Sequence, residues 1–315
     1  MISVWLRVIR VRFLLASVIA VLVGLALNWS QNVSIDYFDA ILTFAGVMAL
    51  HASVDLLNDY WDFKRGIDTK TTRTKMSGGT GVLPEGLLKP STVYRAGVLF
   101  LIIGSLIGSY FVITNGILIA IILGFAILSI YFYSTKIVDS GLGEFFVAVK
   151  GSMIVIGTFF IQSGEINIES ILAGIVIGTL SSLVLFIASF PDHDADKSKG
   201  RKTLVIVVGK EKASRLFWAF PLISYAVIVI GVALSLFPVL SLISLLSFPL
   251  IIKSGLGLQK NYNSITELVP FMSASLKFSR ITGILFALSF FTPHKTDCLT
   301  AFFTNSSVLL SGSPR

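Results

Sequence analysis

Two segments of the chain are written on one pattern. Asn58-Asp59-Tyr60-Trp61-Asp62 runs on through Gly66 to Thr69, and Asp192-His193-Asp194-Ala195-Asp196 runs on through Gly200 to Thr203. The matched positions are Asn58 and Asp192, Asp62 and Asp196, Gly66 and Gly200, Thr69 and Thr203, each pair 134 residues apart with no gap. Residues four apart on a helix share a face, so each segment presents a stripe of oxygen ligands. His51, Asp55 and Asp59 extend the first stripe back into the apolar run that precedes it. A duplicated unit, each copy ending on an acidic stripe, predicts parallel repeats with a site at their interface.

The apolar runs around these segments set the fold class. A helix needs about 20 mostly apolar residues to cross a bilayer, and nine candidates are present: 8–28, 37–58, 93–114, 117–135, 142–162, 169–190, 213–236, 238–253 and 268–292. Of the 315 residues, 54% are hydrophobic and 13% charged, against about 25% charged in a soluble domain. This excludes an ordinary soluble enzyme and a disordered chain. We expect an all-α integral membrane protein, a bundle of two parallel four-helix repeats plus a ninth helix, forming one domain over 1–292 with a poorly ordered tail over 293–315.

The connectors alternate in charge. Those near 29–36, 115–116, 163–168 and Pro238 carry no Lys or Arg, whereas 59–92 and 191–212 are rich in both. Positive loops mark the cytoplasmic side. The N-terminus and both motif loops are therefore expected to be cytoplasmic in a multi-pass protein of the cell membrane. The net charge of +8 reads as a topology signal and not as a nucleic-acid footprint. Lys277 and Arg280 interrupt the ninth run, so they face the bundle interior or the helix starts late.

Carboxylates beside bases at one mouth of a bundle suit a diphosphate held through metal bridges. Mg²⁺ takes oxygen ligands and is commonly shared between carboxylates and substrate phosphates, and Arg and Lys contact phosphate directly. Asp59, Asp194 and Lys197 read equally well as solvated helix-end charges, and His193 as a loop residue. His51 and Asp55 fit a polar pair satisfied inside the bundle as well as a catalytic one. Four glycines in Ser77–Gly86 fit a flexible linker or a loop whose backbone N–H groups face phosphate.

Asn58 to Asp62 followed by Asp68, and Asp192 to Asp196 followed by Gly200-Arg201-Lys202-Thr203-Leu204, resemble the two aspartate-rich motifs of the UbiA superfamily of intramembrane prenyltransferases. Ser77-Gly78-Gly79-Thr80-Gly81-Val82-Leu83-Pro84-Glu85-Gly86, with Tyr133-Ser134 and Gly141-Leu142-Gly143-Glu144, is similar to the branch that acts on 1,4-dihydroxy-2-naphthoate. The polar stretch 292–315 departs from the apolar ending usual in the family.

The resemblance implies that Asn58, Asp62, Asp68, Asp192 and Asp196 hold Mg²⁺ on the diphosphate of an allylic polyprenyl donor. It implies that Arg73, Lys75, Arg201 and Lys202 neutralise the diphosphate, that Tyr133 faces an allylic cation, and that Lys136 binds the aromatic acceptor or the diphosphate. Gly78 and Gly79 would form a lid, and Glu144 would lie near the acceptor. A multi-pass transporter, another prenyl transfer of the same type and a lipid-diphosphate hydrolase are the competing readings. Acidic clusters at one face, beside bases, favour prenyl transfer over transport.

Overall fold

A computed structural model describes residues 1–69, 71–74 and 76–292. Lys75 and the tail 293–315, on which two expectations fall, lie outside the described residues. A short helix α1 (Ile2–Val8) precedes α2 (Val11–Ser30), α3 (Tyr37–Lys64), α4 (Pro90–Asn115) and α5 (Ile117–Phe132). The fourth span continues from α5 through a π turn at Tyr133–Ile137 and a 3-10 turn at Val138–Ser140. Then come α6 (Gly143–Ser163), α7 (Ile168–Ser198), two short helices α8 (Leu204–Val208) and α9 (Lys210–Leu216), and α10 (Ala219–Ala233). A 3-10 segment at Val239–Ser247 leads into α11 (Phe248–Asn261), and α12 (Ile265–Ser289) closes the described chain. Among the described residues, nine stretches are long and apolar enough to cross a membrane.

Two helices overrun the expected spans in the same way. α3 continues to Lys64 and α7 to Ser198, so both motifs stand on unbroken helical ends instead of in loops. The expected ends at 58 and 190 followed the loss of apolar residues. Helix hydrogen bonding does not stop there, and even Pro191 lies inside α7. α12 spans 265–289 instead of 268–292, with Pro270 inside its first turns. Of its two cations, Lys277 is exposed, while Arg280 borders the internal cavity and donates to the Arg12 carbonyl.

Local chemistry fixes the helix ends. Asp36 caps α3 by accepting from the Asp39 N–H at 3.0 Å. Asn167 and Ser170 form a reciprocal capping box at the start of α7, which satisfies donors that a helix end otherwise leaves unpaired.

Packing between the spans follows membrane rules. α3 packs against α4, α6 against α7, and α2 joins the halves by packing on α6. α6 and α7 approach closely at Gly151 and Gly178, where a Cβ on Gly151 would stand 2.8 Å from the Gly178 Cα. Small residues allow such contact where no hydrophobic drive separates helix from lipid. The last spans are joined by hydroxyl pairs: Tyr225 to Ser247 at 2.8 Å, Ser247 to Thr282 at 2.6 Å, Ser254 to Ser275 at 2.5 Å and Ser241 to Ser289 at 2.8 Å. The main core runs through α2, α6, α7 and α12, with Leu183, Phe186, Phe190, Phe278 and Phe286 fully enclosed.

Candidate active site

A cavity of about 330 Å³ opens between the halves. The 134-residue offset seen in the motifs persists along its walls. Phe13 and Val147, Ala20 and Ile154, Val47 and Ser181, Leu50 and Val184, and Val54 and Ala188 all border it, as do Asn58 and Asp192, Asp62 and Asp196, and Ile67 and Arg201. The duplicated sequence therefore lines one cavity with matched positions from both halves.

At the mouth the two halves are joined by one guanidinium. Arg201, from the segment after α7, donates to Asp196 Oδ1 at 3.1 Å and to Asp62 Oδ1 across the repeat interface. Burial disfavours its charge, but Asp62 and Asp196 outweigh that and raise its pKa. Arg65, at the end of α3, makes a second stitch. It donates to the Ser134 carbonyl at 2.6 Å, to Asp139 at 3.0 Å and to the Lys199 carbonyl at 3.3 Å.

Around this bridge stand oxygen atoms with capacity to spare. The Asn58 amide donates to Asp62 Oδ2 at 3.1 Å, and its own oxygen accepts from Ser134 Oγ at 2.8 Å. Asp192 Oδ2 accepts from the Gly78 N–H at 3.2 Å, whereas Asp192 Oδ1 is buried with no partner. Asp68 Oδ2 is likewise buried and unpaired. The Asp68 carboxyl is pushed up to about 8, by burial first and by Asp62 and Asp59 next. Native structures rarely leave such oxygens orphaned, and each one asks for a ligand. Among the described residues, no three acid, imidazole or thiol side chains converge enough to hold an ion alone. Arg201 occupies the centre where Asp62 and Asp196 would meet.

The glycine-rich stretch is a built element and not a slack linker. Gly78 and Gly79 have φ of +84° and +70°, a region that side chains rarely adopt. A Cβ on Gly79 would meet the Asp68 carboxylate oxygens at 2.5 Å. Ser77, Gly78 and Gly79 border the cavity, and the residues just after them are clamped. Asp59, fully buried, accepts from the Thr80 N–H at 3.1 Å and the Thr80 hydroxyl at 2.8 Å. Arg7 of α1 donates to the Thr80 carbonyl at 2.7 Å and forks onto Glu85 at 2.9 and 2.7 Å. Val82 and Leu83 are buried with Val8, Leu56 and Val93.

The structure thus brings Asn58, Asp62, Asp68, Asp192, Asp196, Arg201, Tyr133, Gly78 and Gly79 to one cavity. It does not bring four other expected residues there. Arg73 is committed to Glu85 at 2.5 Å. Lys136 is exposed over the Phe132 ring at 4.9 Å, because the wide π turn carries it off the face that Tyr133 presents. Lys202 points outward next to the buried Arg201. Glu144, 5% exposed, lies in the first turn of α6 behind the wall. Asp194, paired with His193 at 2.6 Å, is exposed.

Sequence reasoning passed over Arg10 and Lys150 as site residues and offered an interior position for Arg280 only as one of two readings; all three border the cavity. Lys150 and Arg280 carried a usable signal, since a charge inside a span is a functional candidate by default. Asp59 and Arg7, the clamps of the glycine stretch, carried none, because their partners lie far along the chain.

A family model described as the UbiA prenyltransferase family matches residues 17–275. The chain is 31% identical over 220 residues to the 1,4-dihydroxy-2-naphthoate octaprenyltransferase of Bacillus subtilis, covering 69% of each chain. It is 28% identical over 305 residues to the Escherichia coli protein of the same name, covering 91% of this chain and 94% of that one. Its fold matches a UbiA homologue from Aeropyrum pernix with a TM-score of 0.66 at 16% identity, over 88% of this chain and 97% of the other. It also matches one from Archaeoglobus fulgidus bound to GPP and Mg²⁺, with a TM-score of 0.57 at 16% identity over 90% and 99%. With duplicated acidic helix ends around one intramembrane cavity and a family match across most of its length, the chain belongs to the UbiA prenyltransferase family.

Proposed function

We propose that this chain transfers a polyprenyl group from an allylic polyprenyl diphosphate to an aromatic acceptor, 1,4-dihydroxy-2-naphthoate, and releases diphosphate, a step of menaquinone biosynthesis. The observation that carries the reading is the cavity itself, with acids and bases at one end and many apolar residues, among them Phe13, Leu50, Ile154 and Leu180, along its walls. The names of the two relatives supply the acceptor. The unpaired oxygens of Asp68 and Asp192, together with Asn58, Asp62 and Asp196, fit a hard divalent cation. These five residues would hold Mg²⁺. Among the described residues too few ligands converge to hold it alone, so oxygens of the substrate and water would complete the set, as Mg²⁺ sites commonly require. Bound Mg²⁺ would neutralise charge on the departing diphosphate.

The remaining roles belong to the chain's own residues. Arg201, already between the two acidic helix ends, meets the diphosphate. The Gly78 and Gly79 backbone covers it. The bond from the allylic carbon to the diphosphate oxygen breaks, and its electron pair leaves with diphosphate. The Tyr133 ring face is suited to the allylic cation, and the closed chamber keeps water from it. The aromatic carbon supplies the pair for the new carbon–carbon bond, and the ring then loses what that carbon carried, a proton or, at the carboxylate-bearing carbon, CO₂, whose bond pair returns to the ring. Residues 1–292 act as one catalytic unit, and the basic loops support a mouth on the cytoplasmic side.

The test is transfer by purified protein. With geranylgeranyl diphosphate, Mg²⁺ and 1,4-dihydroxy-2-naphthoate, prenylated naphthalene product and free diphosphate form in equal amounts. Diphosphate release without an acceptor would point to a hydrolase instead.

A further inference from the structure

The cavity has a second polar level that diphosphate chemistry does not use. Asp55 and His51 stand on α3 seven and eleven residues before Asp62, about 10 and about 16 Å deeper at 1.5 Å per residue. Lys150 reaches the same chamber from α6, in the other half of the molecule, and all three border the cavity. His51 Nδ1 is 2.7 Å from Ser17 Oγ. Its other nitrogen is 3.7 Å from Asp55 Oδ2, beyond a hydrogen bond, and that oxygen is buried without a partner. Lys150 makes no hydrogen bond or ion pair with any described residue, although its charge acts on both His51 and Asp55.

The pseudo-symmetry sharpens this. The positions 134 residues from His51, Asp55 and Lys150 are Leu185, Ser189 and Ala16, which also border the cavity. The three polar side chains are therefore not part of the duplicated diphosphate machinery. They bring polar groups from α3 and α6 to the deep chamber, whereas the residues of α7 that border it, Ile177, Leu180, Val184, Leu185 and Ala188 among them, are largely apolar. A prenyl chain needs only the latter. Unpaired charge inside a membrane is costly and marks a ligand path.

We infer that His51, Asp55 and Lys150 form the receiving site for the polar head of an aromatic acceptor that carries an acidic substituent. The Lys150 ammonium takes the anion, Asp55 accepts from a ring hydroxyl, and His51, held by Ser17, completes the contact. The ring then lies between this level and the mouth, with the α7 wall left to the prenyl chain. This rests on the prenyl-transfer reading and adds to it where the acceptor is bound and which group is recognised.

The experiment uses the full chain in lipid nanodiscs, with geranylgeranyl diphosphate as donor. Two acceptors are compared: 1,4-dihydroxy-2-naphthoate, and 1,4-dihydroxynaphthalene, which lacks the carboxylate. In the unaltered protein the KM for the naphthoate lies below that for 1,4-dihydroxynaphthalene by a factor of at least about ten, the scale of one lost charged contact; equal values overturn the site whatever the variants do. Lys150→Met raises the naphthoate KM by a similar factor and leaves the donor KM, the Mg²⁺ requirement and kcat/KM for the carboxylate-free acceptor unchanged. Lys150→Arg restores most of the loss. A parallel rise in donor KM, or equal loss with both acceptors, contradicts the assignment. Naphthoate binding, read by its own fluorescence, keeps the two readings apart. Lys150-dependent binding without transfer overturns the proposed function alone. Transfer with Lys150-independent binding overturns this site alone.

Discussion

The two motif helices match where the mouth of the cavity lies and diverge on either side of it. On α3 the face reads Asn58 and Asp62, on α7 Asp192 and Asp196. Past the motif, Ile67-Asp68 in the first half stands where Arg201-Lys202 stands in the second, so an acid in one copy answers a base in the other. The first connector is long and folds back through Gly78 and Gly79. The second goes directly into α8 and α9. The duplicated residues stand on both sides of one cavity, whereas the glycine stretch, the central Arg201 and the deep group His51, Asp55 and Lys150 occur once. In the proposed reaction the shared residues would grip a diphosphate from both sides, and the unshared ones would distinguish one substrate from the other.

This division can be broken most severely through the shared part. Removing divalent metal with EDTA should abolish transfer in the purified protein, and Mg²⁺ should restore it. Residual turnover above a few per cent would mean that the duplicated acids are structural.

The lid exists in one copy only, and it is next in size. Gly79→Ala adds a Cβ against the Asp68 carboxylate at a φ of +70°. The strain costs on the order of 1 kcal/mol or more, and the lid must shift off its seat. We expect kcat/KM for the donor to fall about tenfold, with acceptor KM little changed. Steady-state rates at varied donor measure this, and an unaltered donor KM would demote the stretch to a linker.

A smaller effect is expected from the clamp. Arg7→Ala removes the fork onto Glu85 and the bond to the Thr80 carbonyl. Hydrogen exchange over 76–86 should quicken, while exchange in 204–216, the short helices α8 and α9 that follow the second motif, stays as it was. Addition of geranylgeranyl thiodiphosphate and Mg²⁺ should slow exchange over 76–86 in the unaltered protein. No response at saturating ligand would show that the stretch does not close.

The smallest expected effect concerns Asp68, whose counterpart is Lys202. With its carboxyl pushed up to about 8, against about 3.9 for a free aspartate, the folded chain keeps a proton that the unfolded chain releases. The stability from this group is full below about pH 4 and is lost as pH rises through about 8. The Tm of the metal-free protein should therefore decline with pH across this window more steeply than that of Asp68→Asn, by a few degrees. Parallel curves would show that Asp68 is not held protonated.

Much of this was legible in the sequence. Nine apolar runs and the Asn58/Asp192 and Asp62/Asp196 spacing gave the bundle and its duplicated face, because span length and helical period are local properties. Lys136 and Arg73 were misplaced for reasons that are not local. A π turn changes the angle per residue just after Tyr133, and Arg73 meets Glu85 only once the connector folds back. Arg201 was named among four bases, but its position between Asp62 and Asp196 needs two segments brought together from 139 residues apart. Lys150 was readable from its place in a span, yet its companions His51 and Asp55 lie on a helix of the other half.

The central claim is that the two halves hold one diphosphate together, and a mutant cycle on the matched acids tests it most directly. Initial rates are measured for Asp62→Ala, Asp196→Ala and the double variant across a Mg²⁺ titration. Each single change should lower kcat by at least about a hundredfold, and the double variant should be little worse than either, since residues that act as a unit are not additive. Near-native turnover at low Mg²⁺ by either single variant, or losses that multiply in the double, would contradict it.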